Sequence, residues 1–196
     1  MQTKKLKHAF IETTNYCNLD CVFCNRRDVV NNKNLKHMSL NEWNKILQVL
    51  SDHPLKDAKL QGLGEPFFHP QYDVITESFK NKFPDCFVIT ATNLQYKIKG
   101  AFKDKFFKSL SNIDLLYLSI DGYKETYEAA RPGAKWEQLI RSLEIIEREL
   151  PKKDIKTRFE INFVATPETI SSLEKVIEIQ KKYNFIHDIR VNLAQW

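Results

Sequence analysis

Glycine is scarce in this chain. There are five in 196 residues, where average usage would give roughly fourteen. Each one is a candidate for a place where the backbone leaves no choice. Two stand in Gly62-Leu63-Gly64-Glu65-Pro66, one follows Asp121, one ends Ala130-Arg131-Pro132-Gly133, and Gly100 is alone. Long apolar runs are also missing, so no segment approaches the roughly 20 residues of a membrane-spanning helix. Residues 1–10 are basic but lack the apolar stretch of a secretory signal. The expected compartment is therefore the cytoplasm, with no membrane partner. Cysteine is too thin for a disulfide-stapled scaffold: Cys17, Cys21 and Cys24 crowd together and Cys86 stands apart. No charge sign dominates either. Thirty Lys and Arg against 25 Asp and Glu leave a formal +5, with Lys and Glu alternating. That reads as a solvated surface, and a nucleic-acid partner is not expected.

What is present is enough apolar residue, 42%, for one core and one domain over residues 1–196. Short strand-like runs cover 8–14, 58–61, 87–91, 115–120, 158–164 and 189–193. Between them lie helical faces. Trp43, Ile46, Leu47 and Leu50 follow a capping box of Ser39 and Glu42. Tyr72, Ile75, Phe79 and Phe83 make a second face, and Phe102, Phe106 and Leu110 a third. Trp136, Leu139, Leu143 and Ile146 belong to a fourth. Ile170, Leu173 and Ile177 belong to a fifth, with Thr166 expected as its N-cap and Pro167 as its first residue. Six strands alternating with five helices predict an α/β fold with a parallel sheet.

Chemistry in such folds gathers at the carboxyl ends of the strands. The cysteine cluster follows the first strand there, and 62–66 follows the second. Asn93 follows the third, and Ser119 and Asp121 end the fourth. Asn162 lies in the fifth, with Asn192 and Gln195 in or after the sixth. Nearly every polar or glycine-rich oddity falls on one rim. The cysteines are spaced C-x3-C-x2-C, and thiolates at this density select zinc or an iron–sulfur centre. Three ligands on an iron–sulfur cube would leave one iron free for another molecule. A zinc site completed by His37 or His69 is a second reading. A helical stripe of small buried residues is a third. Cys86 reads as a small buried hydrophobe.

The three-cysteine loop, with Phe23 just before Cys24, resembles the signature loop of radical S-adenosylmethionine (radical SAM) enzymes. The 62–66 segment is similar to that family's GGEP motif, with Leu63 in place of its first glycine. Leu118-Ser119-Ile120-Asp121-Gly122 and Ala130-Arg131-Pro132-Gly133 resemble the fourth-strand region of the subgroup that often carries SPASM or twitch extensions. The resemblance covers the whole chain. It implies an incomplete (β/α)6 TIM-like barrel of parallel strands with outer helices, ending at the sixth strand. The last helix and any C-terminal auxiliary-cluster extension are expected to be lacking.

It further implies that Cys17, Cys21 and Cys24 hold a 4Fe-4S cluster. That cluster reductively cleaves S-adenosylmethionine to a 5′-deoxyadenosyl radical, which takes hydrogen from a substrate. Backbone carbonyls of 62–66 and the Glu65 carboxylate would accept from the SAM ammonium, Gly62 and Gly64 would permit close approach, and Pro66 would fix the turn. Ser119 and Arg131 would hold the SAM carboxylate. Ser119 and Asp121 could also bond the methionyl part or the ribose, Asn93 and Asn162 the ribose or substrate, and Phe23 would pack beside the adenine. Expected partners are a peptide, sugar, alcohol or cofactor-precursor substrate and an electron donor such as flavodoxin or ferredoxin. A partner chain or a further C-terminal segment would close the barrel. The competing function is a non-catalytic zinc- or cluster-binding module on the same fold.

Overall fold

Two spacings of apolar residues become two kinds of element in the computed structural model, which describes residues 5–31 and 33–193. The strands are β1 His8–Phe10, β2 Asp57–Lys59, β3 Phe87–Thr92, β4 Leu115–Ser119, β5 Arg158–Ala165 and β6 Ile186–Leu193. They form one sheet in sequence order, every neighbouring pair parallel, with β1 and β6 as its edges. Parallel neighbours need long crossovers. These carry α1 Arg26–Val29, α2 Leu40–Leu50, α3 Tyr72–Lys82, α4 Gly100–Leu110, α5 Glu125–Ala130, α6 Trp136–Glu149 and α7 Leu173–Lys182.

The sheet buries one face against helices. Ala58, Val88, Leu116 and Ile161, which occupy that face, are fully buried and join Trp43, Phe79, Phe106, Leu143 and Ile146 in the core. Alternate residues point the other way, and several of these, among them Phe10, Lys59 and Arg190, are exposed. A singly wound, helix-backed, open parallel sheet is the expected incomplete TIM-like barrel. No helix among the described residues is long and apolar enough to cross a membrane.

The capping box at α2 is present, with Ser39 Oγ accepting from the Glu42 N–H and Glu42 accepting from the Ser39 N–H. Other boundaries differ from the sequence reading. β1 stops at Phe10 because residues 13–15 leave β2 and turn to 36–38. Met38 N–H donates to Thr13 O (2.8 Å), and Thr14 pairs antiparallel with His37. β6 begins at Ile186, ahead of the expected 189, because exposed His187 and Asp188 mask the start of the strand pattern. Thr166 does not cap α7. It closes a hydroxyl turn with Thr169: Thr166 Oγ1 accepts from Thr169 N–H (3.2 Å) and Thr169 Oγ1 accepts from Thr166 N–H (2.8 Å). A 3-10 turn, Ile170–Ser172, then leads into the helix. Polar side chains that bond local backbone compete with helix starts in this way. The short helices α1 and α5 carried too few apolar residues to be foreseen. Gln195 lies outside the described residues.

Candidate functional site at the strand rim

The loop after β1 is shaped by its polar residues. Thr14 Oγ1 accepts from Tyr16 N–H (3.1 Å), and the Asn15 amide bonds Asn34 O and Lys36 N–H (both 2.8 Å). Main-chain bonds then tie the loop to the end of α5 and the turn that follows it: Val22 N–H to Ala130 O and Asp20 N–H to Pro132 O, both 3.0 Å. Gly133, at φ +94°, lies against Asn18 O, a backbone conformation that favours glycine. On the other side, Glu65 N–H donates to Tyr16 O (2.7 Å). A Cβ on Gly64 would stand 2.4 Å from Thr14 O and 2.6 Å from Tyr16 O. Gly64 therefore lets two rim loops touch backbone to backbone. Its space is filled by protein, whereas a Cβ on Gly62 would meet only the Glu12 side chain.

This arrangement brings Cys17, Cys21 and Cys24 to one cavity of about 300 Å³. Gly62, Gly64, Glu65, Pro66, Phe23, Asn93, Ser119 and Arg131 share its wall. Cys21 is buried and the other two thiols are half-buried. Burial pushes the Cys17 thiol up to about 11, so its thiolate needs positive charge beside it. Among the described residues no three His, Cys, Asp or Glu side chains converge on one point. A tetrahedral zinc ion, with bonds of about 2.3 Å to sulfur, requires that convergence. A polynuclear cluster asks each thiolate to reach its own metal atom, and three thiols on one cavity wall are a donor set of that chemical kind. Donors already stand behind them. Arg131 lies 3.5 Å from Cys21 Sγ and Asn93 Nδ2 3.8 Å from Cys17 Sγ. His69 spends both ring nitrogens, on Met38 O and on Gln71 N–H, and His37 Nδ1 meets the Thr14 hydroxyl.

Several expected site residues turn out to hold other protein groups. Glu65 is buried, and it accepts from Thr92 Oγ1 (2.9 Å), Asn93 N–H (2.7 Å) and Phe67 N–H (3.4 Å). It clamps the end of β3 to the 62–66 loop. Asp121 is fully buried; Oδ1 accepts from Val164 N–H (2.6 Å) and Oδ2 pairs with Arg131, whose Nε stands at 2.5 Å. Arg131 is thus aimed by Asp121, with its guanidinium 5.5 Å from the centre of the Phe23 ring. Asn162 lies beside Ser119 in register, accepts from Asn192 Nδ2 (2.6 Å), and does not line the cavity. Cys86 is buried at the foot of β3.

The sequence reading missed Gln61, which lines the cavity and whose buried Oε1 meets no donor among the described residues. A polar residue at a strand end, directly before a glycine, was the available signal. It also missed Asn18, which joins the cysteine loop to β3's end through Asn93 (3.0 Å) and Gln95 (2.8 Å).

Desolvation raises the Glu65 carboxyl from its ordinary 4.5 to about 7, against the pull of its three donors. The folded chain then binds this proton more tightly than the unfolded chain does. In the metal-free protein this contribution of Glu65 should be fully present below pH 4.5 and be lost as pH rises towards 7. At about 1.4 kcal/mol per pH unit, the fall approaches about 3 kcal/mol. Urea unfolding at several pH values should show this component in the wild type and not in Glu65→Gln. Equal pH profiles would show that Glu65 stays ionised throughout.

A family profile described as the Radical SAM superfamily matches residues 11–179. No curated protein matches the sequence. Among solved structures, anSMEcpe with bound AdoMet superposes with a TM-score of 0.72 at 19% identity, covering 98% of this chain and 52% of its own. TYW1 with a lysine-pyruvate adduct bound gives 0.66 at 21%, covering 92% and 62%. Archaeal TYW1 gives 0.54 at 18%, covering 86% and 60%. This chain therefore spans roughly half to three-fifths of the length of these structures, and at such identities the likeness concerns the fold.

Proposed function

The chain belongs to the radical SAM superfamily, and from that premise we propose that its rim cavity holds an iron–sulfur cluster and S-adenosylmethionine. The observation that carries the reading is the meeting of three thiols, the 62–66 loop and Arg131 on one cavity wall. When bound, the cluster and SAM supply an electron and a 5′-deoxyadenosyl radical, the reagent for hydrogen abstraction.

The chain's own residues would do the rest. Cys17, Cys21 and Cys24 ligate the cluster. Arg131 and Asn93 donate towards sulfur, which favours the thiolate form. Main-chain groups of 62–66 accept from the SAM ammonium, in a loop whose shape Gly64, Glu65 and Pro66 fix. Ser119 and Arg131 face the carboxylate end, with Asp121 orienting the guanidinium rather than touching SAM itself. Phe23 shields the site from water beneath Arg131. Asn162, beside the cavity, is left for ribose or substrate. An electron donor of flavodoxin or ferredoxin type reduces the cluster. The open side between β1 and β6 is where substrate, a partner chain or a further segment covers the site.

The test is anaerobic reconstitution with iron and sulfide, followed by reduction in the presence of SAM. About four irons and four sulfides per chain are expected, with methionine and 5′-deoxyadenosine detected by mass spectrometry. Protein that retains zinc, or that takes up iron without cleaving SAM, would contradict the reading.

A further inference from the structure

A second cavity, of about 480 Å³, opens between the 3-10 turn Pro66–Phe68, α3 and α4. It shares no lining residue with the cysteine cavity. Its wall is aromatic. Ring centre to ring centre, Phe67 stands 4.8 Å from Phe106 and 5.1 Å from Tyr72, and Tyr96 stands 5.0 Å from Phe102. The hydroxyls on this wall are spent on protein. Tyr72 donates to Leu60 O (2.7 Å), Tyr96 bonds Thr92 Oγ1 (2.6 Å), and Ser109 Oγ donates to Lys105 O (2.9 Å). Both ring nitrogens of His69 are engaged as well. Such an interior suits an apolar body.

The mouth is cationic. Lys105 is exposed, and its Nζ donates to the carbonyl of Pro70, another wall residue (2.9 Å). That bond holds the ammonium at the opening and leaves it two further N–H groups. Exposed Lys97 stands on the same wall. Among the described residues neither lysine is in an ion pair, and neither is Lys99, exposed just ahead of α4. Asp73 is the one carboxylate on the wall, and it shares Lys108 with Glu77 (3.9 and 2.9 Å). Asp104, the carboxylate of α4, lines a separate cleft with Lys153. The charge left over at the mouth is positive.

We propose that this cavity is a binding site for a free, small apolar carboxylate, with its hydrocarbon body among the rings and its carboxylate on Lys105 and Lys97. Burial of the body supplies most of the affinity, and the ammonium groups fix which end faces water. The site stands directly behind the 62–66 loop, because the Thr92 hydroxyl that meets Tyr96 also donates to Glu65 (2.9 Å). It is separate from the cysteine cavity and does not rest on the cluster reading.

The experiment uses the full chain as purified, at constant ionic strength. The probes are octanoate, its neutral isostere octanamide, and acetate, each titrated by calorimetry and by shift of the unfolding midpoint. Octanoate should bind at one site per chain, octanamide more weakly, and acetate not at all. Lys105→Gln should weaken octanoate about fivefold, and Lys97→Gln combined with it about tenfold, with octanamide unchanged in both. Ala101→Trp, which puts a large ring at a wall position that is exposed, should abolish binding of both. Lys156→Gln, an exposed lysine ahead of β5, should match the wild type. Unfolding of each variant without probe confirms that it is folded. Absence of octanoate binding, equal affinity for octanamide, an unchanged octanoate affinity in the double lysine variant, or full binding in Ala101→Trp would each overturn the proposal. No step depends on iron, sulfide or SAM, so its failure is distinguishable from failure of the enzyme reading.

Discussion

Changing any one of Cys17, Cys21 or Cys24 to Ala is expected to give colourless protein with no SAM cleavage, while Cys86→Ala stays brown and active. The first three thiols line one cavity, so in the proposed cluster each would serve a metal atom of its own. Loss of one leaves an iron without a protein ligand and the cluster open to dissolution. Cys86 is buried at the opposite end of the sheet, where burial pushes its thiol up to about 11. It stays protonated and packs as a hydrophobe. Iron and sulfide analysis with an absorption spectrum checks all four variants. A full cluster in Cys21→Ala, or an empty site in Cys86→Ala, would refute the assignment.

Asp121→Ala is expected to be among the most destabilising single changes in the chain. Arg131 is almost fully buried, and Asp121 supplies its only carboxylate among the described residues. Removing one member of a buried ion pair costs about 3–5 kcal/mol, because the remaining charge is left without a partner. Asp121 also accepts from Val164 N–H, so the end of β5 loosens as well. Asp121→Asn keeps an acceptor for that N–H and should lose less. Arg131→Met, which removes the charge along with the need to satisfy it, should cost less stability than Asp121→Ala while weakening SAM binding. Urea unfolding and SAM titration separate these effects. A loss under 1 kcal/mol in Asp121→Ala would mean that water or another group solvates Arg131.

The alternation of β-rich and helical stretches was readable because each strand buries one face and each helix one stripe. The rim was readable because glycine is rare and cysteine is clustered. Legibility failed where a residue's partner is distant in the chain. Nothing near Glu65 in sequence announces that Thr92 and Asn93 will occupy its oxygens. Nothing near Asp121 announces Val164, 43 residues on. The motif picked out these carboxylates correctly as rim residues, but their bonding is a property of strand neighbours. Gly64 shows the same limit. Its scarcity value was visible, yet the atoms that demand a glycine belong to Thr14 and Tyr16.

The cysteine loop is held by main-chain bonds from two directions, Glu65 N–H to Tyr16 O on one side and Asp20 and Val22 N–H to Pro132 and Ala130 O on the other. These clamps come from parts of the chain made much later than the loop. A nascent chain leaving the ribosome exposes its thiols early, at roughly 5–20 residues per second, but has no pocket to offer until residue 133 is out and α5 has docked. If the cavity holds the proposed cluster, metal would meet a formed pocket only in the later stages of synthesis.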